Sequence, residues 1–166
     1  MKWRAVKRDE IKPVDLYELA RTHKLLPRNI SGAVPNYKAM AAIATWYDVV
    51  DENDDAVAIF ILTTVEHEEA QIDFVPYPQH FATGAFKEPL AESMIPILAE
   101  LFESKKIRRV SSEVPESRGR TKKALKALGF KSEGKKRRGV QYFGKDVEDL
   151  FSLGLIPEEM KEISDV

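Results

Sequence analysis

Histidine and cysteine, the side chains that most often serve as metal ligands or nucleophiles, are scarce in this sequence. Cysteine is absent, which excludes disulfides, thiolate metal sites and a cysteine nucleophile. The three histidines, His23, His67 and His80, are scattered through loop-like segments, and no two have the spacing of metal ligands. No nucleophile-elbow pattern supports a Ser-His-Asp arrangement. The sequence therefore predicts no metal site.

The charged side chains are divided unevenly along the chain. The net charge is -1, but residues 105–145 carry 15 Lys or Arg against three acids, Glu113, Glu116 and Glu133, which is +12. The remaining residues carry 11 basic and 24 acidic side chains, which is -13. Such a basic segment indicates a solvated helix face with an exposed hairpin, a site for a phosphate-rich cofactor, or a surface for nucleic acid.

Eight of these 15 basic side chains lie in a predicted strand-helix-strand unit, residues 107–134. Ile107–Val114 predicts a short strand with alternate residues buried, which Pro115 ends. Ser117 is the expected cap of the following helix, and Gly129 is its expected end. The apolar face of this helix carries Thr121, Ala124, Leu125 and Leu128. Phe130 begins a second strand, which we expect Gly134 to break after a few residues.

The rest of the chain gives an alternating series of strands and helices. We predict a strand over 2–8, helices over 13–23 and 37–44, strands over 45–50, 56–65 and 69–75, a helix over 89–104, strands over 135–143 and 148–155, and a short helix from Pro157. The loop over 76–85 is predicted to lie between the fourth strand and the third helix. The resulting order is β, α, α, β, β, β, α, β, α, β, β.

Length and composition favour one soluble domain over residues 1–166. The chain is long enough to bury a core without metals or disulfides, and it is 43% hydrophobic and 32% charged. The N-terminal MKWRAVKRDE lacks the apolar core of a signal peptide, and no apolar run reaches membrane length. We therefore expect a cytoplasmic protein with no membrane partner.

The strand-helix-strand unit resembles the C-terminal half of the GNAT superfamily of N-acetyltransferases, and its pattern is nearest to the bacterial protein N-terminal acetyltransferases. Ser112-Glu113-Val114, Arg118 and Leu128-Gly129-Phe130 match the spacing of that family without a gap. Because the predicted order is also the GNAT order, the resemblance covers nearly the whole chain. It implies an α/β (α+β) GNAT fold with a mixed, mostly antiparallel sheet of six to seven strands and about four helices.

The resemblance implies acetyl-CoA as an acyl donor. The cofactor motif of the family, Arg/Gln-x-x-Gly-x-Gly/Ala, corresponds here to the loop that begins at Gln79. Small residues in such a loop let backbone N–H groups face a pyrophosphate at a helix N-terminus. In the family the pantetheine arm lies between the fourth and fifth strands, and cations at the start of the next helix reach the phosphates. The cofactor-binding residues implied in this way are Phe74, Val75, Gln79, Ala82, Thr83, Gly84, Ala85, Arg118 and Lys122.

The resemblance also implies the catalytic residues. Glu113 stands at the position of the general base, which deprotonates an acceptor amine directly or through water, and Asp73 on the fourth strand is a second candidate. Leu125 stands where many members carry a general-acid tyrosine. The proton for the leaving thiolate would then come from water or from a residue such as Tyr142. The implied reaction is direct attack of a primary amine on acetyl-CoA in a ternary complex.

Two other functions stay open at this point. A catalytically inactive GNAT-fold binding module is favoured by Ala82, Arg118 and Leu125, which depart from the family pattern. An RNA-binding protein would use the basic residues 105–145, but this segment has few aromatics for base stacking, so nucleic acid is the less favoured partner.

The acceptor implied by the resemblance is a small-molecule or peptide amine. The acidic residues of the N-terminal half would attract a cationic acceptor such as a peptide N-terminus, a lysine or a polyamine, or they form solvated turns. Family members often pair through their C-terminal strands, which leaves a homodimer open.

Overall fold

A computed structural model of the protein describes residues 3–22, 41–65, 68–77, 88–104, 107–142 and 145–160. Its seven strands form one sheet: β1 (Arg4–Lys7), β2 (Ala44–Val50), β3 (Ala56–Val65), β4 (Glu69–Pro76), β5 (Arg109–Pro115), β6 (Lys131–Val140) and β7 (Glu148–Leu155). The helices are α1 (Pro13–Thr22), α2 (Glu88–Ser104) and α3 (Gly119–Ala127), followed near the C-terminus by a 3-10 turn at Pro157–Glu159. Residues 41–43 are also helical and lead into β2.

The strands lie in the order β1-β2-β3-β4-β5-β7-β6. Every neighbouring pair is antiparallel except β4 and β5, which run parallel. The predicted mixed, mostly antiparallel sheet of six to seven strands is therefore confirmed, and it has seven strands. Among the described residues, the one parallel contact falls in the middle of the sheet, between strands that are separated in sequence by α2.

Helices cover both faces of this sheet. Leu16 of α1 packs on Trp46, Ile59 and Ile61 on one face. On the other face α2 and α3 pack against the larger core, to which they contribute Leu90, Met94, Leu98, Ala124, Leu125 and Leu128. The strand β3 is central because its residues from Val57 to Leu62 are buried on both sides. Among the described residues, no helix combines the length and apolar character that crossing a bilayer requires.

Two local predictions are wrong. Ser117 does not cap α3: the N-cap residue is Arg118, and the Ser117 hydroxyl donates a hydrogen bond to Glu148 Oε2 at 3.0 Å instead. Gly134 does not break the strand after Phe130, because β6 continues from Lys131 to Val140. Gly134 takes a φ of 148° at a register shift between β6 and β7, so its conformational freedom accommodates a bulge within the strand.

Gly129 ends α3 as predicted. Its φ is 110°, the Gly129 N–H donates to the Lys126 carbonyl at 3.0 Å, and the Phe130 N–H donates to the Leu125 carbonyl at 3.1 Å. These two bonds form a Schellman motif, in which a left-handed residue satisfies the last carbonyls of a helix. The motif directs Phe130 back into the core, where it is 3% exposed.

Replacing Gly129 with alanine tests the motif. We expect Gly129→Ala to lower the free energy of unfolding by about 1–2 kcal/mol, since a Cβ disfavours the left-handed conformation. Urea denaturation followed by circular dichroism measures this loss. Gly119→Ala is the matched control, because a Cβ at Gly119 has no atom within 4 Å. In a helical residue this change should be neutral or stabilising by up to about 1 kcal/mol. Equal effects of the two substitutions would contradict the role of Gly129.

Candidate functional site

The parallel pair β4 and β5 separates partway along its length. The two strands pair over three residues, Glu69 with Arg109, Ala70 with Val110, and Gln71 with Ser111. The buried Ser112 hydroxyl then donates to the Ile72 carbonyl at 2.8 Å. Both strands continue, β4 to Pro76 and β5 to Pro115, with no further pair among the described residues. Beyond Ser112 the facing strand edges therefore form a gap.

Asp73 and Glu113 lie on the two sides of this gap. Extending the register by two residues from Gln71 and Ser111 places them at the same level and on the same face. That face is the one covered by α1, since Asp73 is paired with Ile61, which packs on Leu16. The structure thus brings together the two residues that the sequence proposed as catalytic.

The two carboxylates interact electrostatically. The pKa of Asp73 is raised above its ordinary value of 3.8, first because its carboxylate is desolvated and second because of the charge of Glu113. The Asp73 side chain is nevertheless reached by solvent. The raised pKa and the solvent exposure together fit a carboxylate in a cleft. Water reaches such a carboxylate from one side, and protein surrounds it on the other sides. We therefore expect Asp73 to hold its proton to a higher pH than an exposed aspartate.

The main chain of β4 faces the gap at alternate residues. Thr121 of α3 donates its hydroxyl to the Phe74 carbonyl at 3.3 Å, and the Ile72 carbonyl accepts from Ser112. Because the N–H and C=O of one strand residue point to the same edge, the N–H of Phe74 also points into the gap. The same alternation turns the N–H and C=O of Val75 toward β3, where Val75 is paired with Ile59.

Arg118 and Lys122 both lie near the start of α3. Arg118 is half-buried, and desolvation lowers the pKa of its guanidinium, while Tyr142 and the charge of Glu148 have a smaller, opposite effect. The Lys122 ammonium lies 3.6 Å from the centroid of the Phe151 ring on β7. Arg118 therefore shares Tyr142 as an electrostatic neighbour with Asp73 and Glu113, whereas Lys122 is directed toward the Phe151 ring on β7.

The hairpin of β6 and β7 packs on the turn between β5 and α3. Glu148 accepts hydrogen bonds from the N–H and the hydroxyl of Ser117, at 2.7 and 3.0 Å. A shallow, solvent-open cavity of about 520 Å³ adjoins this contact. It is lined by Glu116, Ser117, Lys145, Asp146, Val147 and Glu148. The turn that leads into α3 is thus held by a residue far away in the sequence.

Tyr142 belongs to this end of the sheet and is half-buried. Desolvation is the main cause that raises the pKa of its phenol, and the charge of Glu148 adds to it. Asp73 and Glu113 raise the pKa of Tyr142 further, while Arg118 lowers it. The phenol therefore lies within the electrostatic field of both gap carboxylates. Leu125, by contrast, is fully buried in the core.

Glu113 also has a cationic neighbour. Its Oε1 lies 3.6 Å from the Lys136 Nζ on β6, and both side chains are more than half exposed. An exposed ion pair of this kind contributes roughly 0–1 kcal/mol, so it exchanges readily with solvent. The Glu113 carboxylate is therefore accessible to an incoming ligand.

Several predicted site residues lie outside the described parts of the chain. These are the loop residues Gln79, Ala82, Thr83, Gly84 and Ala85, together with the three histidines. The remaining predicted residues, Asp73, Phe74, Val75, Glu113, Arg118 and Lys122, are described above. Among the described residues, no three His, Cys, Asp or Glu side chains are grouped as metal ligands.

Sequence reasoning missed the bonds of Ser112 and Thr121. Ser112 lies between Val110 and Val114 on the buried side of β5, and Thr121 lies on the apolar face of α3. A hydroxyl at a buried position needs a hydrogen-bond partner, which is the signal that would have singled them out. The sequence alone does not name the partner, since both bonds end on β4, about 40 residues earlier.

Three solved structures give this fold its context. An acetyltransferase of the GNAT family from Bacillus anthracis matches with a TM-score of 0.56 and 17% identity, over 69% of this chain and 67% of that chain. Mutant forms of a spermidine/spermine N-acetyltransferase from Vibrio cholerae match with a TM-score of 0.66 and 11% identity, over 95% of each chain. A ribosomal-protein-S5-alanine acetyltransferase from Vibrio fischeri matches with a TM-score of 0.61 and 17% identity, over 94% of each chain.

The sequence comparisons are negative: no protein-family model matches this chain, and no curated protein matches it. At identities of 11–17% the structural likeness establishes the fold. The fold predicted from the sequence is therefore confirmed by three-dimensional structure, without support from sequence similarity.

The pKa of Asp73 is testable by titration. We expect its side-chain carboxyl, followed by carbon-13 NMR, to titrate above 3.8 in the native protein. A native pKa above the unfolded one means that the native state holds the proton more tightly. The resulting stabilisation is present below about 3.8 and is lost as the pH rises through the native pKa. Asp73→Asn should therefore become more stable relative to the parent protein as the pH rises through that range.

Glu113→Gln is the control for the second cause of the shift. Removing the Glu113 charge should move the Asp73 titration to lower pH while leaving it above 3.8, because desolvation is the larger cause. An Asp73 carboxyl that titrates at or below 3.8 in the parent protein would show that the two carboxylates do not form one site.

Proposed function

We propose, from the premise that this chain has the GNAT fold, that it is an acyl-CoA-dependent N-acyltransferase. In this proposal it transfers acetyl from acetyl-CoA to a primary amine by direct attack in a ternary complex. The observation that carries the proposal is the gap between β4 and β5, which has Asp73 on one side and Glu113 on the other. The structural neighbours described above are acetyltransferases, which supports the same activity.

The residues at the gap suit the binding of coenzyme A. The N–H of Phe74 at the open edge of β4 would hold the pantetheine arm, and the half-buried cation of Arg118 would bind a phosphate. The loop residues Gln79, Ala82, Thr83, Gly84 and Ala85 would supply backbone N–H groups to the pyrophosphate. Lys122 would join them only by leaving the ring of Phe151. When bound, acetyl-CoA supplies the thioester.

The two carboxylates supply the base. A protonated amine cannot attack a carbonyl carbon, so its proton must be removed first. Glu113, which is accessible to solvent, would accept this proton directly or through water. Asp73 would act as the neighbouring carboxyl that attracts the ammonium group. In the overall reaction a C–N bond forms, the C–S bond breaks, and the thiolate takes up a proton.

The source of that last proton is Tyr142 or water in our proposal. Leu125 is buried in the core and carries no proton to donate. The raised pKa of Tyr142 keeps its phenol protonated at neutral pH, as a general acid requires. The phenol would therefore be ready to donate to a thiolate that leaves near Asp73 and Glu113.

An inactive GNAT-fold binding module is the second candidate. The observation that favours it is the buried Leu125 at the position of the family tyrosine. Such a module would bind acetyl-CoA or its amine ligand at the same gap without turnover. Cofactor binding and amine acetylation therefore need separate measurements.

Binding of acetyl-CoA should stabilise the protein against heat. At a concentration of about one hundred times Kd, the native state gains roughly 2.7 kcal/mol. For a chain of this size, that gain corresponds to a rise in Tm of roughly 5–10 °C. Differential scanning fluorimetry measures it. Arg118→Ala should give a smaller ligand-induced rise than the parent protein. The absence of any rise in Tm at about 1 mM acetyl-CoA would reject both proposed functions, the acetyltransferase and the cofactor-binding module.

Glu113→Gln should separate chemistry from cofactor binding. Loss of a general base lowers kcat by roughly 10²–10⁴-fold, and the Kd for acetyl-CoA should stay nearly unchanged. Release of free thiol in the presence of an amine acceptor measures the turnover. Glu103→Gln is the matched control, because Glu103 is exposed near the end of α2. Turnover that survives in Glu113→Gln would reject Glu113 as the base.

A further inference from the structure

The edge strand β6 contains a bulge that consists of Arg137, Arg138 and Gly139, which we call the arginine bulge. Lys136 is paired with Leu150 of β7, and the next pair joins Val140 to Glu148. Three residues of β6 thus face one residue of β7, Asp149. The two extra residues must leave the ladder, so the chain bends outward at this point.

Specific contacts hold the arginine bulge in one conformation, so it is an ordered part of the strand and not a frayed end. Arg138 has a φ of 52°, a left-handed conformation that costs a residue with a side chain about 1 kcal/mol or more. The Asp149 carboxylate accepts a hydrogen bond from the Arg138 N–H at 2.9 Å and so holds this conformation. A Cβ at Gly139 would lie 2.8 Å from the Lys136 Cβ and 2.9 Å from the Leu150 Cβ. Only glycine allows this close approach of the two strands.

The two guanidinium groups of the bulge face solvent, and the described part of the chain offers neither of them a partner carboxylate. The lysines of β6 form ion pairs, Lys131 with Glu159, Lys135 with Asp149, and Lys136 with Glu113. Arg137 and Arg138 are exposed, and no acid among the described residues pairs with either of them. A guanidinium group binds carboxylates through two parallel hydrogen bonds. The bulge therefore presents two adjacent groups that suit an anionic ligand.

The arginine bulge lies beside the proposed acceptor site. Lys136, the residue before it, lies 3.6 Å from Glu113. Neighbouring strands are separated by about 4.8 Å, so β6 lies roughly 10 Å from β5 across β7. The bulge faces Asp149, three residues along β7 from Ser152, which is paired with Glu113, so the backbones of Glu113 and the bulge lie roughly 14 Å apart. An extended peptide covers that distance in about four residues, at about 3.3 Å per residue.

We propose that the acceptor is the N-terminal amine of an acidic peptide or protein segment, whose carboxylates at positions 3 to 5 bind Arg137 and Arg138. This inference rests on the proposed acetyltransferase function and names the acceptor class for the same site. The amine lies between Asp73 and Glu113, and the peptide crosses β7 toward the edge of the sheet. An oligonucleotide fits less well, since β6 has no aromatic side chain on which a base could stack.

The test compares three peptides of equal length with a free N-terminus, in which positions 3 to 5 are acidic, neutral amide or basic. With acetyl-CoA as donor, kcat/KM should be highest for the acidic peptide and lowest for the basic one. Exposed charge pairs are strengthened at low ionic strength, so added salt should reduce the difference. Spermidine serves as an acceptor without a carboxylate.

The variant for this test is Arg137→Gln with Arg138→Asn. Asparagine tolerates the left-handed conformation, so the bulge should persist while both charges are removed. We expect kcat/KM for the acidic peptide to fall roughly 5- to 20-fold and that for the neutral peptide to change less than twofold, on the scale of two exposed charge interactions. Arg120→Gln with Lys126→Gln is the matched control, because it removes two exposed charges from α3 and should preserve the preference.

The outcomes separate this inference from the proposed function. Acetylation of spermidine or of the basic peptide in preference to the acidic one would overturn the acidic acceptor and leave the acetyltransferase intact. The acidic acceptor would also be overturned if the variant Arg137→Gln with Arg138→Asn kept the full preference for the acidic peptide. If no amine is acetylated, fluorescence anisotropy of labelled ligands decides whether the bulge is an anion site. Binding of the acidic peptide that the variant weakens supports it, whereas no binding, or tighter binding of an oligonucleotide, rejects it.

Discussion

The short parallel contact between β4 and β5 is the constraint on which the site depends. The two strands form three pairs and the bond from Ser112 to the Ile72 carbonyl. Beyond these contacts, their facing backbone groups form no described hydrogen bonds with each other. Buried backbone groups need hydrogen-bond partners, so such an opening persists only where other groups or a ligand satisfy them. Thr121 supplies one partner by donating to the Phe74 carbonyl. Side chains of β5 and α3 thus replace part of the strand-to-strand hydrogen bonding that is missing at the gap.

The helix α3 keeps the gap in place because both of its ends are fixed. The Schellman motif at Gly129 returns Phe130 to the core, while Leu125 and Leu128 pack beneath the sheet. At the other end, Glu148 of β7 holds the turn before the helix through Ser117. Arg118 is consequently held at the start of α3, half-buried and close to Tyr142 and Glu148. Packing of the hairpin and electrostatics of the site are therefore coupled through one turn.

Patterns that are local in sequence predicted the fold well. The strand β3 has the predicted bounds, because an apolar run between polar turns is a local signal, and Gly129 marks the helix end for an equally local reason. Glu113 and Asp73 are site candidates because of the alternation in two short strands and the family resemblance, and the structure places them at the same level on the two sides of the gap. The predicted N-cap role of Ser117 is wrong because its hydroxyl bonds Glu148, which lies 31 residues away in the sequence. The arginine bulge depends on the register of β6 on β7, which no local pattern determines.

The basic segment illustrates how structure gives different roles to similar residues. The ammonium groups of Lys122 and Lys135 lie 3.6 and 6.0 Å from the centroid of the Phe151 ring. These two lysines therefore make cation–π contacts within the protein. Other lysines of β6 pair with acids. Lysines and a bulge on an edge strand also hinder pairing with a second sheet, which is a structural reason for their presence. That reason does not require a left-handed arginine, since glycine would form the same bulge at a lower cost in conformational energy. In the proposal above, binding of an acidic acceptor is a second reason for a charged side chain at Arg138, beside the protection of the edge strand.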